Sequence, residues 1–334
     1  MNARHSISRH PLRARPATCA LAGAAALGLL TLTACGSGGA AADDGRVDVA
    51  ASFYPMEYLA EEIGGKHVDV TSLTSPGAEP HDLELTPRQV GELGEADLVV
   101  YLKGLQPAVD EAVAQSEVEH TAEAGSYTSL EKHSEHGEHG EQEHGEQEHG
   151  APEGHEHTMP GGGDPHVWLD PVRYAAIAKG VGKELATTDP EHAETYRKNT
   201  ADLVTRLEKL DEDFRTGLRN RKTDTFVTTH AAFGYLADRY HLHEESISGI
   251  DPASGSISAE HIKDLHRTAE EDGVRTVFSG SRANDDAAQT LAEDLGLRTD
   301  VLDTLETAPK SDTQDYLSRM HHNLQALRTA LGAQ

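Results

Sequence analysis

From residue 46 onward, short apolar runs alternate with longer segments in which apolar residues recur every three or four positions. The short runs predict strands and the longer segments predict helices. Strands are predicted at 47–53, 68–73, 98–102, 225–229, 246–250, 275–279 and 301–303. Helices are predicted at 56–63, 87–93, 107–114, 172–186, 190–219, 232–240, 258–271, 285–295 and 312–331. This alternation predicts an α/β fold with parallel sheets and helices packed on their faces.

The longest predicted helix, 190–219, divides the chain. It predicts an amino-terminal α/β lobe at 46–189 and a carboxyl-terminal α/β lobe at 220–334, joined by one long rigid helix of about 45 Å. Thr200 interrupts the single apolar stripe of this helix. We therefore expect the helix to pack within the chain rather than in a coiled-coil dimer, and the protein to be a monomer.

The amino terminus has the pattern of an export signal. Four arginines and no acidic residue precede a run of small and apolar residues at 17–32. This run is short for a membrane span. The sequence at 32–35 resembles a bacterial lipobox, which predicts a signal peptide at 1–34, a lipidated Cys35 and a flexible tether at 35–45. The protein would then be anchored to the outer face of the cytoplasmic membrane. An ordinary secretion signal with an incidental cysteine is the alternative.

The charge balance narrows the choice of partners. The chain has 29 lysine and arginine residues against 57 aspartate and glutamate residues, a formal net charge of −28. This excess argues against nucleic acid or an anionic membrane surface as the main partner. Such a field also concentrates cations near the protein.

A histidine- and glutamate-rich segment, 131–160, has almost no apolar residues. It cannot bury enough surface to offset chain entropy, so we expect disorder. Its imidazoles and carboxylates suit borderline divalent ions and predict weak auxiliary metal capture, although an inert linker is the alternative. The histidines are His133, His136, His139, His144, His149, His155 and His157.

Three other histidines lie beside prolines or at the end of a predicted strand. His81 follows Pro80 in the connection after the second strand, His166 lies between Pro165 and Pro171, and His230 directly follows the strand at 225–229. Ligands of parallel α/β sheets lie beyond the carboxyl ends of the strands, so these histidines are candidate ligands. Solvent-facing loop histidines are the alternative.

The segments 77–82, 164–171 and 229–236 resemble the zinc and manganese solute-binding lipoproteins of ABC importers, and the histidine-rich insertion resembles the zinc-specific branch. The resemblance implies a metal cleft between two lobes, and capture of metal outside the cytoplasmic membrane for delivery to a permease powered by an ATPase. It places metal ligands at His81, His166 and His230. Because the manganese branch has a carboxylate in place of His230, the implied ion is Zn²⁺.

A tetrahedral zinc site needs a fourth ligand, and at this point the chain departs from the family pattern. This chain has Gly280 where zinc-binding relatives often have a glutamate after the late strand. We predict Asp285 as the fourth ligand. Bound water, Glu79 and His157 are alternatives.

A receptor is not the only function that fits three histidines. A zinc-dependent hydrolase also uses three protein ligands and an open position, but the sequence has no His-Glu-x-x-His motif to supply a general base. A metal-buffering surface adhesin would depend on the segment 131–160 instead. We expect a receptor without enzymatic activity.

Overall fold

Two parallel sheets account for the strands in the computed structural model, which describes residues 45–133, 163–249, 258–280, 285–308 and 314–334. The first sheet has the order β2-β1-β3-β4 and the second the order β6-β5-β7-β8, with every pair parallel. The predicted α/β class is therefore confirmed. The strands are β1 Val47–Ala51, β2 Val68–Ser72, β3 Leu98–Tyr101, β4 Thr121–Glu123, β5 Thr225–His230, β6 His243–Ser248, β7 Thr276–Ser279 and β8 Arg298–Val301.

The helices follow the predicted segments, and local signals fix several of their ends. Thr86 and Gln89 form a reciprocal capping box at the start of one helix, and Pro87 takes its first position. The helices are α1 Tyr54–Gly64, α2 Pro87–Glu95, α3 Pro107–Gln115, α4 Pro171–Thr188, α5 Ala193–Gly217, α6 Gly234–Tyr240, α7 Ala259–Glu271, α8 Asp285–Leu295 and α9 Tyr316–Ala330.

Alternating side chains of each sheet enter different cores. Val49 and Val100 of the first sheet, with Phe226 of the second, belong to one large buried cluster that includes residues of α1, α4, α5, α6 and α9. Ala50 packs on the opposite face with residues of α2 and α3. Val227 packs on the opposite face of the second sheet with residues of α7 and α8. Each sheet is thus covered on both faces, and the two inner faces share a core.

The long helix differs in length from its prediction. α5 spans 25 residues, Ala193–Gly217, and contacts α1, α4 and α9. Its contacts therefore include elements from both halves of the chain. The predicted start at residue 190 is too early, because 190–192 form a turn before the helix.

Two edge strands were predicted poorly for a common reason. β4 was not predicted, since only Ala122 of its three residues is buried. β8 begins at Arg298 rather than at 301, and its first three residues are exposed. Edge strands with polar side chains lack the apolar run that marks a central strand.

The predicted signal peptide, Cys35 and the tether up to residue 44 lie outside the described residues, as do 134–160 of the histidine-rich segment. Among the helices that are described, none combines the length and the apolar content needed to cross a membrane.

Candidate metal centre

Four side chains with metal-ligating atoms meet at the carboxyl ends of strands. His81 lies in the connection after β2, and His166 lies between β4 and α4. His230 is the last residue of β5, and Glu306 follows β8. One ligand atom from each of the four lies within 4.8 Å of the others. The first sheet and the second sheet each supply two donors.

The donor atoms are already spaced for a small cation. Oε1 of Glu306 lies 3.2 Å from Nε2 of His81 and 3.1 Å from Nε2 of His166. A tetrahedral zinc ion with bonds of about 2.0–2.1 Å separates its donors by about 3.3 Å. The His230 ring centroid lies 5.2 Å from that of His166 and 6.0 Å from that of His81. An ion of this size therefore fits with only small side-chain adjustments.

Asp164 fixes the orientation of His166. Its Oδ1 accepts from Nδ1 of His166 at 2.7 Å and from the backbone N–H of His166 at 2.9 Å. The carboxylate accepts a hydrogen bond from Nδ1–H, so Nε2 faces Glu306 and is the nitrogen available to a metal. His166 is fully buried, and its ring lies 5.1 Å from the ring of Trp168.

The buried charges of the centre stabilise one another. Burial alone would lower the pKa of His166, but Asp164 and Glu306 outweigh it and raise this pKa to about 10. Burial would raise the pKa of Asp164, yet the adjacent His166 and His133 hold it at about 2. The histidine hydrogen bonds likewise hold the pKa of Glu306 well below its ordinary value despite burial. A metal that binds Nε2 of His166 thus displaces a proton.

Glu306 is held by neighbours from both halves of the chain. The hydroxyl of Thr304 donates to Oε2 of Glu306 at 2.7 Å. The carbonyl of Thr304 accepts from Nε1 of Trp168 at 2.7 Å. Trp168 lies two residues from His166, so the indole links the segments that carry these two donors.

The turn before Glu306 is strained and braced. Leu305 has a φ of 56°, a left-handed conformation that costs a residue other than glycine about 1–3 kcal/mol. Asp303 Oδ1 accepts from the N–H of Leu305 at 2.8 Å, and both carboxylate oxygens pair with Arg319 of α9. Asn323 of α9 also bonds the backbone of Asp303 through its carbonyl and its amide. These contacts set the direction of the Glu306 side chain.

Sequence reasoning missed Glu306. The rule that led to the histidines, that ligands lie beyond strand ends, also applies to the segment after the last predicted strand. Asp285 begins α8, and its side chain lies outside the described residues, so that prediction is untested. A Cβ on Gly280 would lie 3.1 Å from Cγ2 of Thr304, so glycine at 280 leaves room for the residue that holds Glu306.

Among the other predicted candidates, Glu79 is exposed and its Oε1 accepts from the N–H of His81 at 3.3 Å. His133 is described and packs against Asp164, contrary to the prediction that disorder begins at 131. The physical reason is that Asp164 and Tyr235 bond the backbone of Glu131 and order the start of the segment. The remaining six histidines of the segment lie outside the described residues.

Two parallel α/β sheets, with three histidines and one carboxylate meeting at their strand ends, are the features of a two-lobed metal-binding protein. The family described as ZnuA, zinc-uptake complex component A, periplasmic, matches residues 49–330, and the chain belongs to this family.

Several named relatives share most of this chain. Zinc-binding lipoprotein AdcA of Streptococcus pneumoniae (strain ATCC BAA-255 / R6) is 32% identical over 91% of this chain and 59% of its own length. High-affinity zinc uptake system protein ZnuA of Bacillus subtilis (strain 168) is 32% identical over 90% of this chain and 94% of its own. The crystal structure of the Zn(II)-bound ZnuA-like domain of Streptococcus pneumoniae AdcA has a TM-score of 0.69 and 28% identity, and covers 86% of this chain and 99% of that domain. The chain thus spans little more than half of AdcA but nearly all of the Bacillus protein.

Proposed function

We propose that this protein is an extracytoplasmic zinc receptor that captures Zn²⁺ and delivers it to an ABC-type permease and its ATPase. The observation that carries the proposal is the convergence of His81, His166, His230 and Glu306, with ligand atoms within 4.8 Å of one another. Zinc is the cargo rather than a catalytic cofactor. The zinc-binding names of the relatives support this choice of ion.

The chemistry of the donors favours zinc over harder ions. Imidazole suits Zn²⁺, whereas Mn²⁺, Mg²⁺ and Ca²⁺ favour oxygen ligands. Three neutral imidazoles and one carboxylate complete a tetrahedron, which is the usual closed geometry of zinc. Four protein ligands leave no coordination position for an activated water, and this supports a receptor over a hydrolase.

We further propose that Cys35 carries the lipid anchor, so that the receptor stays near its permease. A lipid-anchored receptor needs no spanning helix of its own. Mass spectrometry of the membrane-bound protein tests this part: a diacylated Cys35 supports it, and an unmodified terminus elsewhere contradicts it.

Titration of the purified chain with zinc against a chromophoric chelator tests the site. Alanine changes at His81, His166, His230 and Glu306 should each weaken tight binding, and the same change at Asp285 should leave it intact. A loss at Asp285 with no loss at Glu306 would instead identify Asp285 as the fourth ligand.

Uptake and turnover separate the functions. A strain that lacks the receptor should grow poorly when zinc is scarce, and the chain should restore growth only with its four ligands intact. Zinc-dependent hydrolysis of ester or peptide substrates by the loaded protein, without a growth effect, would favour an enzyme.

A further inference from the structure

A second group of metal-ligating side chains lies on the other side of Asp164. Glu131, His133 and Asp238 offer ligand atoms within 4.8 Å of one another. Nε2 of His133 lies 3.0 Å from Oδ2 of Asp238, and Nδ1 of His133 lies 2.6 Å from Oδ2 of Asp164. The imidazole therefore turns one nitrogen to a buried carboxylate and the other to an accessible one.

This arrangement repeats that of His166. The two oxygens of Asp164 each accept from the Nδ1 of a different histidine, Oδ1 from His166 and Oδ2 from His133. A carboxylate on Nδ1 orients the ring and leaves Nε2 for a metal. We propose that Glu131, His133 and Asp238 form a second divalent-cation site, and that Asp164 orients one imidazole of each site.

The position of His133 is built into the fold. A Cβ on Gly234 would lie 2.5 Å from Cγ of His133, so glycine at this position is what admits the ring. The ring meets Tyr235 edge-on at 4.5 Å. The Tyr235 hydroxyl accepts from the N–H of Glu131 and donates to the carbonyl of Asp164. These contacts hold the start of the histidine-rich segment against α6.

The two carboxylates complete the donor set. The side chain of Asp238 is 64% exposed and that of His133 is 17% exposed, so an ion can reach them from solvent. Oε1 of Glu131 pairs with Arg173, which leaves the second carboxylate oxygen for the ion. The nearby guanidinium disfavours a cation. One imidazole with two carboxylates is also a weaker set of ligands for zinc than the three imidazoles and one carboxylate of the first centre. The site should therefore bind zinc more weakly than the first centre.

His133 is the first of the seven histidines in the segment 131–160. The second site thus lies where that segment joins the folded chain, beside a residue that also orients the first centre. The choice of zinc as the ion rests on the proposed receptor function. Zinc bound at the second site would be separated from the transported ion by the carboxylate of Asp164, which contacts one histidine of each site.

The test measures how many zinc ions the full chain binds, and how tightly, after the other six histidines of the segment are changed to asparagine. Zinc binding is measured by equilibrium dialysis, and Co²⁺ absorption reports the ligand set. In this background, His133→Asn removes Nε2 but keeps an amide donor for Asp164, and Asp238→Asn changes an exposed side chain. His192→Asn is the matched control, because His192 also pairs with an aspartate, Asp189 at 2.7 Å, outside both groups.

We expect a second, weaker zinc ion whose affinity falls about tenfold or more with His133→Asn and with Asp238→Asn, but not with His192→Asn. The absence of a second ion, or equal losses in all three variants, would overturn the proposal. His230→Ala separates this result from the receptor function, since it should remove the first ion and leave the second. If only the ion that depends on His133 binds, the second site stands and the receptor proposal fails.

Discussion

At the scale of the residue, Glu306 has two roles in the proposed centre. Its Oε1 contacts the Nε2 atoms of His81 and His166, so it holds the two rings together before metal binds. It also supplies the only negative charge among the four ligands. The carboxylate therefore offsets the charge of the ion in a buried place, where an uncompensated charge is costly.

Glu306→Gln should weaken zinc binding by more than about 100-fold. The change keeps the shape of the side chain but removes the charge, and losing a ligand costs more than losing an outer partner. Chelator competition measures the effect. Glu79→Gln is the control, because Glu79 is an exposed carboxylate close to the centre whose Oε1 accepts from the backbone N–H of His81 and which is not one of the four proposed ligands. Equal losses in the two variants would mean that general charge, not ligation, is responsible.

Asp164→Asn should lower zinc affinity by about 10–100-fold, the range typical of partners that orient a ligating histidine. Asparagine keeps the size of the side chain but has one acceptor oxygen, so it can accept from only one of the two imidazoles and turns its amide N–H groups to the other. Asp189→Asn, which alters a similar pair with His192 elsewhere, should have no effect on zinc. Unchanged affinity in Asp164→Asn would show that His166 is oriented by packing alone.

At the scale of the element, β5, β6 and α6 are joined by one carboxyl group. Glu244 of β6 accepts from the hydroxyl of Thr228 in β5 at 2.8 Å and from the N–H of Phe233, before α6, at 2.9 Å. Burial raises the pKa of Glu244 to about 7 despite these hydrogen bonds. The folded chain therefore holds this proton more tightly than the unfolded chain.

The sign of the pH effect follows from the raised pKa. The stabilising contribution of Glu244 is complete below the ordinary pKa of 4.5 and is lost as pH rises through about 7. Glu244→Gln should make the decline in unfolding free energy between these pH values shallower. Chemical denaturation of the metal-free chain across this range measures it, with the exposed Glu208→Gln on α5 as control. Parallel pH profiles for wild type and Glu244→Gln would contradict the assignment.

The sequence predicted central elements better than edges. β1, β3 and β5 are largely buried and appear as apolar runs, and the predicted parallel pairing was confirmed. β4 and β8 are edge strands with polar residues, and their stability comes from pairing with β3 and β7. That pairing is a tertiary effect that a local pattern does not contain.

The same contrast applies to the centre. The three histidines were predicted because each follows a strand or a proline. Glu306 also follows a predicted strand, but no proline or other local signal distinguishes it, since its position depends on the strained turn at Leu305 and on contacts of Asp303 with α9. His133 was taken as part of a disordered segment because its partners, Asp164 and Asp238, are distant in sequence.

At the scale of the whole molecule, zinc should stabilise the two halves together. His81 and His166 belong to the first half, and His230 and Glu306 to the second, so one ion binds donors of both. At free zinc 1,000 times the dissociation constant, linkage predicts a stabilisation of about 4 kcal/mol. Thermal unfolding with and without zinc measures it, and His230→Ala should show little shift. A shift of equal size in that variant would place the responsible ion elsewhere.

The most direct measurement of the proposed centre is anomalous diffraction at the zinc edge from crystals of the chain grown with one equivalent of zinc. The strongest peak should lie about 2.0–2.2 Å from one nitrogen each of His81, His166 and His230 and from a carboxylate oxygen of Glu306. A strongest peak at any other place, with these four side chains turned away from one another, would contradict the zinc centre.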